Sequence, residues 1–323
     1  MSVNQREFLQ SAFRWYYFNR QAEIKIPTRF REREFGFRDF DGNMKRHISI
    51  AEERELTALI IQTIPRSIYS SSSYYRFPAA PMDQKGWIEG DLIFDLDLKE
   101  VNARCKAKHD FWICDDCKLV GRLPPPLTCS RCGSKRISKV EWICDECLGK
   151  IKGQTVSLIQ MLHDDFGIRH DELSAYFSGN HGYHISVSST LYSSLSSRER
   201  TEIVDYIRLN GFTGSGQRAP SSALAIKVDP SVSMDVHRIF RLPGSLHDKS
   251  GLSKKECDEQ LSGDPFDSAV ALREDPVKIR ITYAPQIRLK GQVFGPYKDE
   301  SKTIPTYAAV YLMLKGLAVV EAT

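Results

Sequence analysis

The chain has 323 residues, 41% of them hydrophobic and 27% charged, with a formal net charge of +4. These values describe a globular protein with room for one or two real cores and exclude a disordered or collagen-like chain. The charge is too small to demand a polyanionic partner, and the longest apolar stretch, 308–320, is broken by Lys315 and too short for a bilayer.

The opening Met1-Ser-Val-Asn-Gln-Arg-Glu7 has no apolar leader, so a cytoplasmic protein that does not enter a membrane is expected. Asn4 to Glu7 has the spacing of an N-cap with a reaching glutamate. Phe8, Ala12 and Trp15 follow at helical intervals, predicting a helix that ends near Asn19. Phe35 and Phe37 face Ile48 and Ile50 across Asp41-Gly42, the pattern of a hairpin with Arg33 exposed beside it. A helix over 52–61, closed by Pro65, and a loop through Ser70 to Tyr75 then lead to an acidic stretch.

That stretch, Asp91-Leu-Ile-Phe-Asp-Leu-Asp-Leu-Lys-Glu100, reads as a strand. Phe94, Leu96 and Leu98 fall on one face, and Asp91, Ile93, Asp95 and Asp97 on the other. Same-face residues sit roughly 7 Å apart, so Asp95 and Asp97 can converge on a cation. Oxygen ligands of this kind suit Mg2+ or Mn2+ rather than zinc. An Asp-x-Asp alone is equally the solvated end of an ordinary strand.

Seven of the eight cysteines lie between Cys105 and Cys147, six of them in Cys-x-x-Cys pairs: Cys114 and Cys117, Cys129 and Cys132, Cys144 and Cys147. Such pairs let one tight turn present two thiolates to zinc. Cys105 and His109 bring the ligands to two tetrahedral sets. Ribbon spacing nests Cys114, Cys117, Cys129 and Cys132 inside Cys105, His109, Cys144 and Cys147, although spacing alone also permits exchanged pairings. The region has few aliphatic residues, so metal must substitute for a core, and its excess of Lys and Arg suits a surface facing nucleic acid. Cys257 stands apart as an inert thiol.

Val156, Ile159, Leu162 and Phe166 predict a helix stopped at Gly167. Leu173 to Val187 reads as strand, turn and strand. A turn with Gly179 and Gly182 can aim backbone N–H groups at a phosphate, helped by Ser178, His181 and His184, or can be a plain hairpin. Ser196 and Glu199 form a capping box for a helix ended by Gly211, and Gly214-Ser-Gly216 is a flexible loop without the Lys-Ser/Thr of a phosphate loop. A short strand over 225–228 runs into Asp229. Beyond it Asp235, two histidines, Arg238, Arg241 and Lys249 crowd around a Pro-Gly turn, as a polyphosphate site beside metal requires. Pro305 starts a last, core-packing helix.

Taken together, these motifs resemble the catalytic small subunit of archaeal and eukaryotic DNA primase. The resemblance is carried by Arg33-Glu-Phe-Gly-Phe37, Tyr74-Tyr75, Ala80 to Trp87, Asp91 to Asp97, Ser178 to His184, Arg241 to Gly251, Gly295-Pro-Tyr297 and Pro305-Thr-Tyr-Ala308, all in the family's order. It implies an α/β (α+β) fold in which a mixed-sheet catalytic core, residues 1–104 and 148–323, is interrupted by a zinc-binding insert, residues 105–147. It also implies template-dependent synthesis of short RNA primers from nucleoside triphosphates on single-stranded DNA, by two-metal nucleotidyl transfer, in a heterodimer with the primase large subunit.

Under that resemblance Asp95, Asp97 and a third acid hold Mg2+ or Mn2+. Read without gaps against the family's segment, the third acid falls on Asp229 rather than Asp235. Ser178, His184, Arg241, His247 and Lys249 match nucleotide-contacting positions, alongside Gly179 and His181 of the turn. Asn180 and His181 stand where many members carry arginine, which predicts modestly weaker nucleotide binding unless another cation substitutes. The alternative is a related template-dependent polymerase of the end-joining type. An aspartate-nucleophile phosphatase is disfavoured because Leu98-Lys99-Glu100 follows the second Asp, and a zinc-ribbon adaptor would leave Asp95 and Asp97 without a purpose.

Overall fold

The computed structural model describes residues 3–101, 103–210 and 225–321. The expected helix stop at Gly211 and the Gly214-Ser-Gly216 loop lie outside the described residues. Helix α1 (Val3–Asn19) buries Leu9, Ala12, Phe13, Tyr16 and Tyr17; it already includes Asn4, which therefore does not cap it. Strands β1 (Phe35–Arg38) and β2 (Met44–Ile48) form the expected antiparallel hairpin, with Phe35 opposite Ile48. Helix α2 (Glu53–Thr63) follows, the Glu55 carboxylate accepting from the N–H of Ala51 at 2.8 Å.

The expected loop through Ser70 to Tyr75 is instead two strands, β3 (Ser67–Ser71) and β4 (Ser73–Tyr75). Their hydroxyls find partners that let polar residues sit in buried strands. Ser71 Oγ accepts from Glu34 N–H at 3.0 Å and donates to Ser73 O at 2.6 Å, while Ser73 Oγ donates to Val236 O. β3 pairs with β1, and β4 with β5 (Trp87–Gly90).

Arg33 is not exposed as expected: it is 4% accessible. Its guanidinium donates to Asp91 Oδ2 (2.7 Å), Tyr74 Oη (2.7 Å) and the carbonyls of Thr28 and Ser71. Every donor direction thus has a partner, which is what a buried arginine requires. Arg33→Met strands the Asp91 carboxylate, and we expect a loss of about 3–5 kcal/mol in urea denaturation, partly restored by a second change, Asp91→Asn. A loss below ~1 kcal/mol would mean the pair behaves as a surface salt bridge.

Next come β6 (Leu92–Asp97), α3 (Lys106–His109) and a three-stranded sheet of β7 (Phe111–Cys114), β8 (Val120–Arg122) and β9 (Ile137–Val140), with β7 central. Helix α4 (Asp145–Asp164) starts directly after Cys144, well before the expected apolar run. Asp145 and Glu146 in its first turn suit the positive end of the helix dipole. Strands β10 (Leu173–Phe177) and β11 (Gly182–Val187) flank the predicted turn. Short α5 (Thr190–Ser193) precedes α6 (Ser197–Arg208), which opens on the expected Ser196/Glu199 box. Then come α7 (Pro230–Met234), β12 (Ile239–Arg241), β13 (Lys255–Cys257) and α8 (Pro265–Ala269). The expected strand over 225–228 does not form: Ile226 and Val228 are buried, but Val228 N–H turns back to Ile226 O. The tail supplies β14 (Pro276–Ala284), the hairpin β15 (Ile287–Leu289) and β16 (Gln292–Phe294), then β17 (Tyr297–Pro305), α9 (Thr306–Leu314) and β18 (Ala318–Val320).

Two four-stranded sheets frame the site, in the orders β12-β3-β1-β2 and β13-β10-β11-β6, and a third sheet, β17-β14-β18, closes the tail. Helices and strands interleave as an α+β fold, and every pairing between described strands is antiparallel. One hydrophobic core runs through all of it. It takes in Cys105, Phe111, Ile113, Trp142 and Cys147 from the cysteine region, whereas Trp112, Cys114 and Cys129 form a small cluster of their own. Among the described residues no helix is long and apolar enough to cross a membrane.

Candidate active site and metal centres

Alternation along β6 puts Asp95 and Asp97 on the face away from Phe94 and Leu96, which are fully buried. Neighbouring β11 sets His184 opposite Asp95 and Gly182 opposite Asp97. A Cβ at Gly182 would lie 2.2 Å from Leu96 O, so only glycine allows this approach. Asp229 arrives from another segment: its N–H donates to Asp95 O at 2.9 Å, and its side chain caps α7 through Ser231 N–H at 3.0 Å. Asp235 instead caps the turn after it, accepting from His237 N–H at 2.8 Å.

The acids hold one another in check. Asp95 is pushed up to about 7, first by burial and then by the charges of Asp97 and Asp229. Burial also raises Asp97. At Asp229 burial acts in the same sense, but the Ser231 bonds and the Lys99 ammonium, 3.3 Å from Oδ2, outweigh it and hold the carboxyl below its usual range.

Beside these acids lies a donor-rich wall. His184 Nε2 is 3.4 Å from Asp95 Oδ1, and its Nδ1 is buried without a hydrogen-bond partner; Arg241 Nη1 is likewise buried and unpartnered. Burial drives the His184 imidazole far below its usual range, so it is neutral. Arg241 donates from Nη2 to Ser178 O, linking β12 to the turn. Gly179 has φ +78°, the left-handed conformation expected of it, and Ser250 Oγ donates to its carbonyl at 2.5 Å. The turn differs from expectation in one respect. The N–H groups of Asn180 and Gly182 donate inward to Ser178 Oγ, at 3.3 and 3.2 Å, rather than outward. His247 Nδ1 lies 3.0 Å from Lys249 N and 3.1 Å from Asp248 Oδ1, and burial lowers the imidazole to about 3. Lys249 itself is exposed, at the mouth of a cleft of about 510 Å³ shared with Asn180 and His181.

The cysteines sort as nested. Cys105, His109, Cys144 and Cys147 bring their ligand atoms within 4.8 Å of one another, and so do Cys114, Cys117, Cys129 and Cys132. Asp95, Asp97 and Asp229 do not form such a group. Sγ separations of 3.5 Å (Cys117–Cys129) and 3.6 Å (Cys114–Cys132) approach the edge of about 3.8 Å that a tetrahedral Zn–S site has. In the set of Cys105, His109, Cys144 and Cys147, His109 Nε2 is 3.2 Å from Cys147 Sγ while Nδ1 is held by Asp110 at 2.9 Å, the second-sphere support that zinc-ligating histidines use. Burial, then Cys105, pushes the Cys147 thiol up, so a cation is needed before these sulfurs ionise together. The donor sets fit zinc.

Comparison with known proteins decides the family. The chain is 34% identical to the DNA primase small subunit PriS of Nitrosopumilus maritimus, over 99% of this chain and 100% of the relative. It is 34% identical to that of Cenarchaeum symbiosum (96% and 97% covered) and 30% identical to that of Saccharolobus solfataricus (98% and 96%). The chain belongs to the DNA primase small subunit family. Its enzyme class is DNA primase, a nucleotidyltransferase that synthesises RNA primers. The family's own sequence profile, DNA primase small subunit, matches residues 143–259, which include the glycine turn, Asp229 and Arg241. Among solved structures, the polymerase domain from Mycobacterium tuberculosis Ligase D in complex with DNA is similar at a TM-score of 0.43 and 13% identity, over 80% of this chain and 86% of that one.

Two lysines of this primase subunit join the site without any local pattern to mark them. Lys254 Nζ donates to Arg241 O at 3.1 Å, lies over the Tyr176 ring and is lowered to about 7 by burial and then by Arg241. Lys315, at the end of α9, donates to Asn180 Oδ1 at 2.7 Å and His181 Nε2 at 3.0 Å, and burial followed by Lys249 lowers it to about 7. His181 itself is kept neutral by burial and then by Lys315. An amine from the other end of the chain thus reaches the turn.

Proposed function

We propose that Asp95, Asp97 and Asp229 hold two Mg2+ or Mn2+ ions, and that the wall beside them binds the triphosphate of the incoming nucleotide. The observation that carries this reading is the bond from Asp229 N–H to Asp95 O, which brings the third acid to the strand bearing the other two. Three carboxylates spread beyond 4.8 Å suit a pair of ions about 3.5–4 Å apart better than a single one. When bound, such ions supply the charge that acidifies the attacking 3′-hydroxyl and neutralises the departing pyrophosphate.

The chain's own residues do the rest. Arg241 Nη1, His184 Nδ1 and His247 Nε2 offer nitrogen groups to phosphate oxygens, and fixed groups need no reorganisation when charge develops. Ser178 and Gly179 set the turn, and Lys249 and Lys315 add positive charge along it. The nested cysteine sets hold one zinc ion each, in an insert over residues 105–147 between the two parts of the catalytic core, 1–104 and 148–323. Family membership supports a single-stranded DNA template, nucleoside triphosphates, a primase large subunit as partner in a heterodimer, and a cytoplasmic location.

Incubation with a single-stranded template and labelled ribonucleotides tests the site. The wild type is expected to make oligomers de novo, Asp229→Asn none, and Asp235→Asn most of the wild-type amount. An active Asp229→Asn beside a dead Asp235→Asn reverses the assignment. On the nucleotide side, His184→Ala and Arg241→Ala are expected to weaken nucleotide binding about 10- to 100-fold, and Lys315→Met about 3- to 10-fold, with template binding little changed. Equal losses for template and nucleotide would make these residues structural.

A further inference from the structure

At the opposite end of α4 from the cysteines, three residues that none of the functions above uses meet at one point. His163 lies in the last turn of α4, His170 opens the short turn before β10, and Glu259 follows β13. His163 Nε2 is 3.3 Å and His170 Nδ1 2.7 Å from the same oxygen, Glu259 Oε2, and the ligand atoms of all three lie within 4.8 Å. We propose that His163, His170 and Glu259 form a third transition-metal site, for zinc or a neighbouring divalent ion, separate from the thiolate sets and from the catalytic acids.

Four observations support it. First, His163 Nδ1 donates to Ile168 O at 2.5 Å, which fixes the ring with Nε2 facing Glu259 Oε2. A divalent ion between that nitrogen and the carboxylate would be held by both. A metal-bound histidine whose other nitrogen is tied to a carbonyl is the usual arrangement of a supported ligand. Second, the distances suit such an ion. Ligand bonds of about 2.0–2.1 Å place tetrahedral donors about 3.3 Å apart. The His163–Glu259 pair already has that spacing, and His170 must open by a few tenths of an ångström.

Third, His170 is 79% accessible and held by Glu259 and the His163 ring, whereas His163 and Glu259, at 17% and 22%, are largely buried. Two ligands are therefore preset and the third closes over them, leaving a fourth position to water. Fourth, Asp164 and Asp165 follow His163 in sequence and favour a cation, while Asp171 and Glu172 beside His170 are balanced by Arg169. Two imidazoles with one carboxylate select zinc, cobalt, nickel or copper over magnesium or calcium. Such an ion would tie the end of α4 to the β10–β13 edge of the catalytic sheet.

The test is cobalt titration of the full chain with its cysteine sites already filled with zinc and with excess Mg2+ present to occupy the catalytic acids. One further equivalent of Co2+ should bind and give d–d absorption without thiolate-to-metal charge transfer. His170→Ala and Glu259→Gln should each weaken that binding about 10-fold or more. His170 is exposed, so its variant keeps the fold, and an unchanged circular dichroism spectrum checks this. The proposal is overturned if no further equivalent binds below millimolar Co2+, if thiolate charge transfer appears, or if both variants bind as wild type does. It does not depend on the catalytic assignment, since neither variant touches the acids or the phosphate wall.

Discussion

Asp95→Asn is expected to abolish nucleotide transfer and, in the absence of added divalent cation, to make the protein more stable than wild type near pH 7.5. The two effects have one cause. Burial, Asp97 and Asp229 raise the Asp95 carboxyl from its ordinary value to about 7. A folded state that binds this proton more tightly than the unfolded chain loses stability as pH rises from the unfolded value, about 4, towards 7. Above 7 the full cost of an ionised, buried carboxylate is present. Each tenfold gain in proton affinity corresponds to about 1.4 kcal/mol, so Asp95 alone opposes folding there by at most about 4 kcal/mol, and Asp97 adds in the same direction.

A neutral amide removes that cost, and a rise in melting temperature of roughly 3 °C or more is expected. The wild type without added metal should melt higher at pH 5 than at pH 7.5, and Asp95→Asn should flatten the difference. Mg2+ or Mn2+ should raise the wild-type melting temperature at pH 7.5 and leave the variant nearly unmoved. If Asp95→Asn instead melts lower than wild type at pH 7.5 without metal, the carboxylate is held by its partners and its strain is not reserved for metal.

Much of this site was legible because its parts are local. Apolar alternation alone puts Asp95 and Asp97 on one face of β6, glycine spacing marks the β10–β11 turn, and cysteine spacing orders the two ligand sets as the fold has them. Long-range partners were not legible. Arg33 is buried by Asp91 and Tyr74, 58 and 41 residues away, which no window of sequence connects. The serine run that forms β3 and β4 reads as loop because serine competes for backbone bonds, and here those same bonds satisfy it inside the sheet. The start of α4 was hidden by Gly149 and Gly153, which lower helix propensity, and by a cysteine pair that reads as a knuckle. Lys315 sits in an apolar tail and meets Asn180 only through the packing of α9.

The two thiolate sets are expected to differ sharply in what they hold together. The sequence favours a single insert that would loosen on chelation without disturbing the core. The packing divides it. Cys105 and Cys147 lie in the main hydrophobic core with Phe111, Ile113 and Trp142, and Cys147 is in the first turn of the helix that packs behind β6 and β11. The nested set, Cys114, Cys117, Cys129 and Cys132, is rooted in the small cluster of Trp112, Cys114 and Cys129, with Cys132 exposed. Metal binding at such sites is folding free energy, but it stabilises only what the ligands are attached to. Cys132→Ser should therefore release one thiolate-bound zinc, free the ribbon tip and move the main melting transition by less than about 2 °C. Cys147→Ser also releases one, yet removes the ion that joins Cys105 and His109 to the start of α4 at the main core. A loss of about 3 kcal/mol or more is expected, with the main transition falling by roughly 6 °C or more. Zinc release followed with a chromogenic chelator, beside calorimetry, separates the two variants. Equal and small shifts would mean the set with Cys147 is as detachable as the set with Cys132, and α4 would then need another anchor at its start.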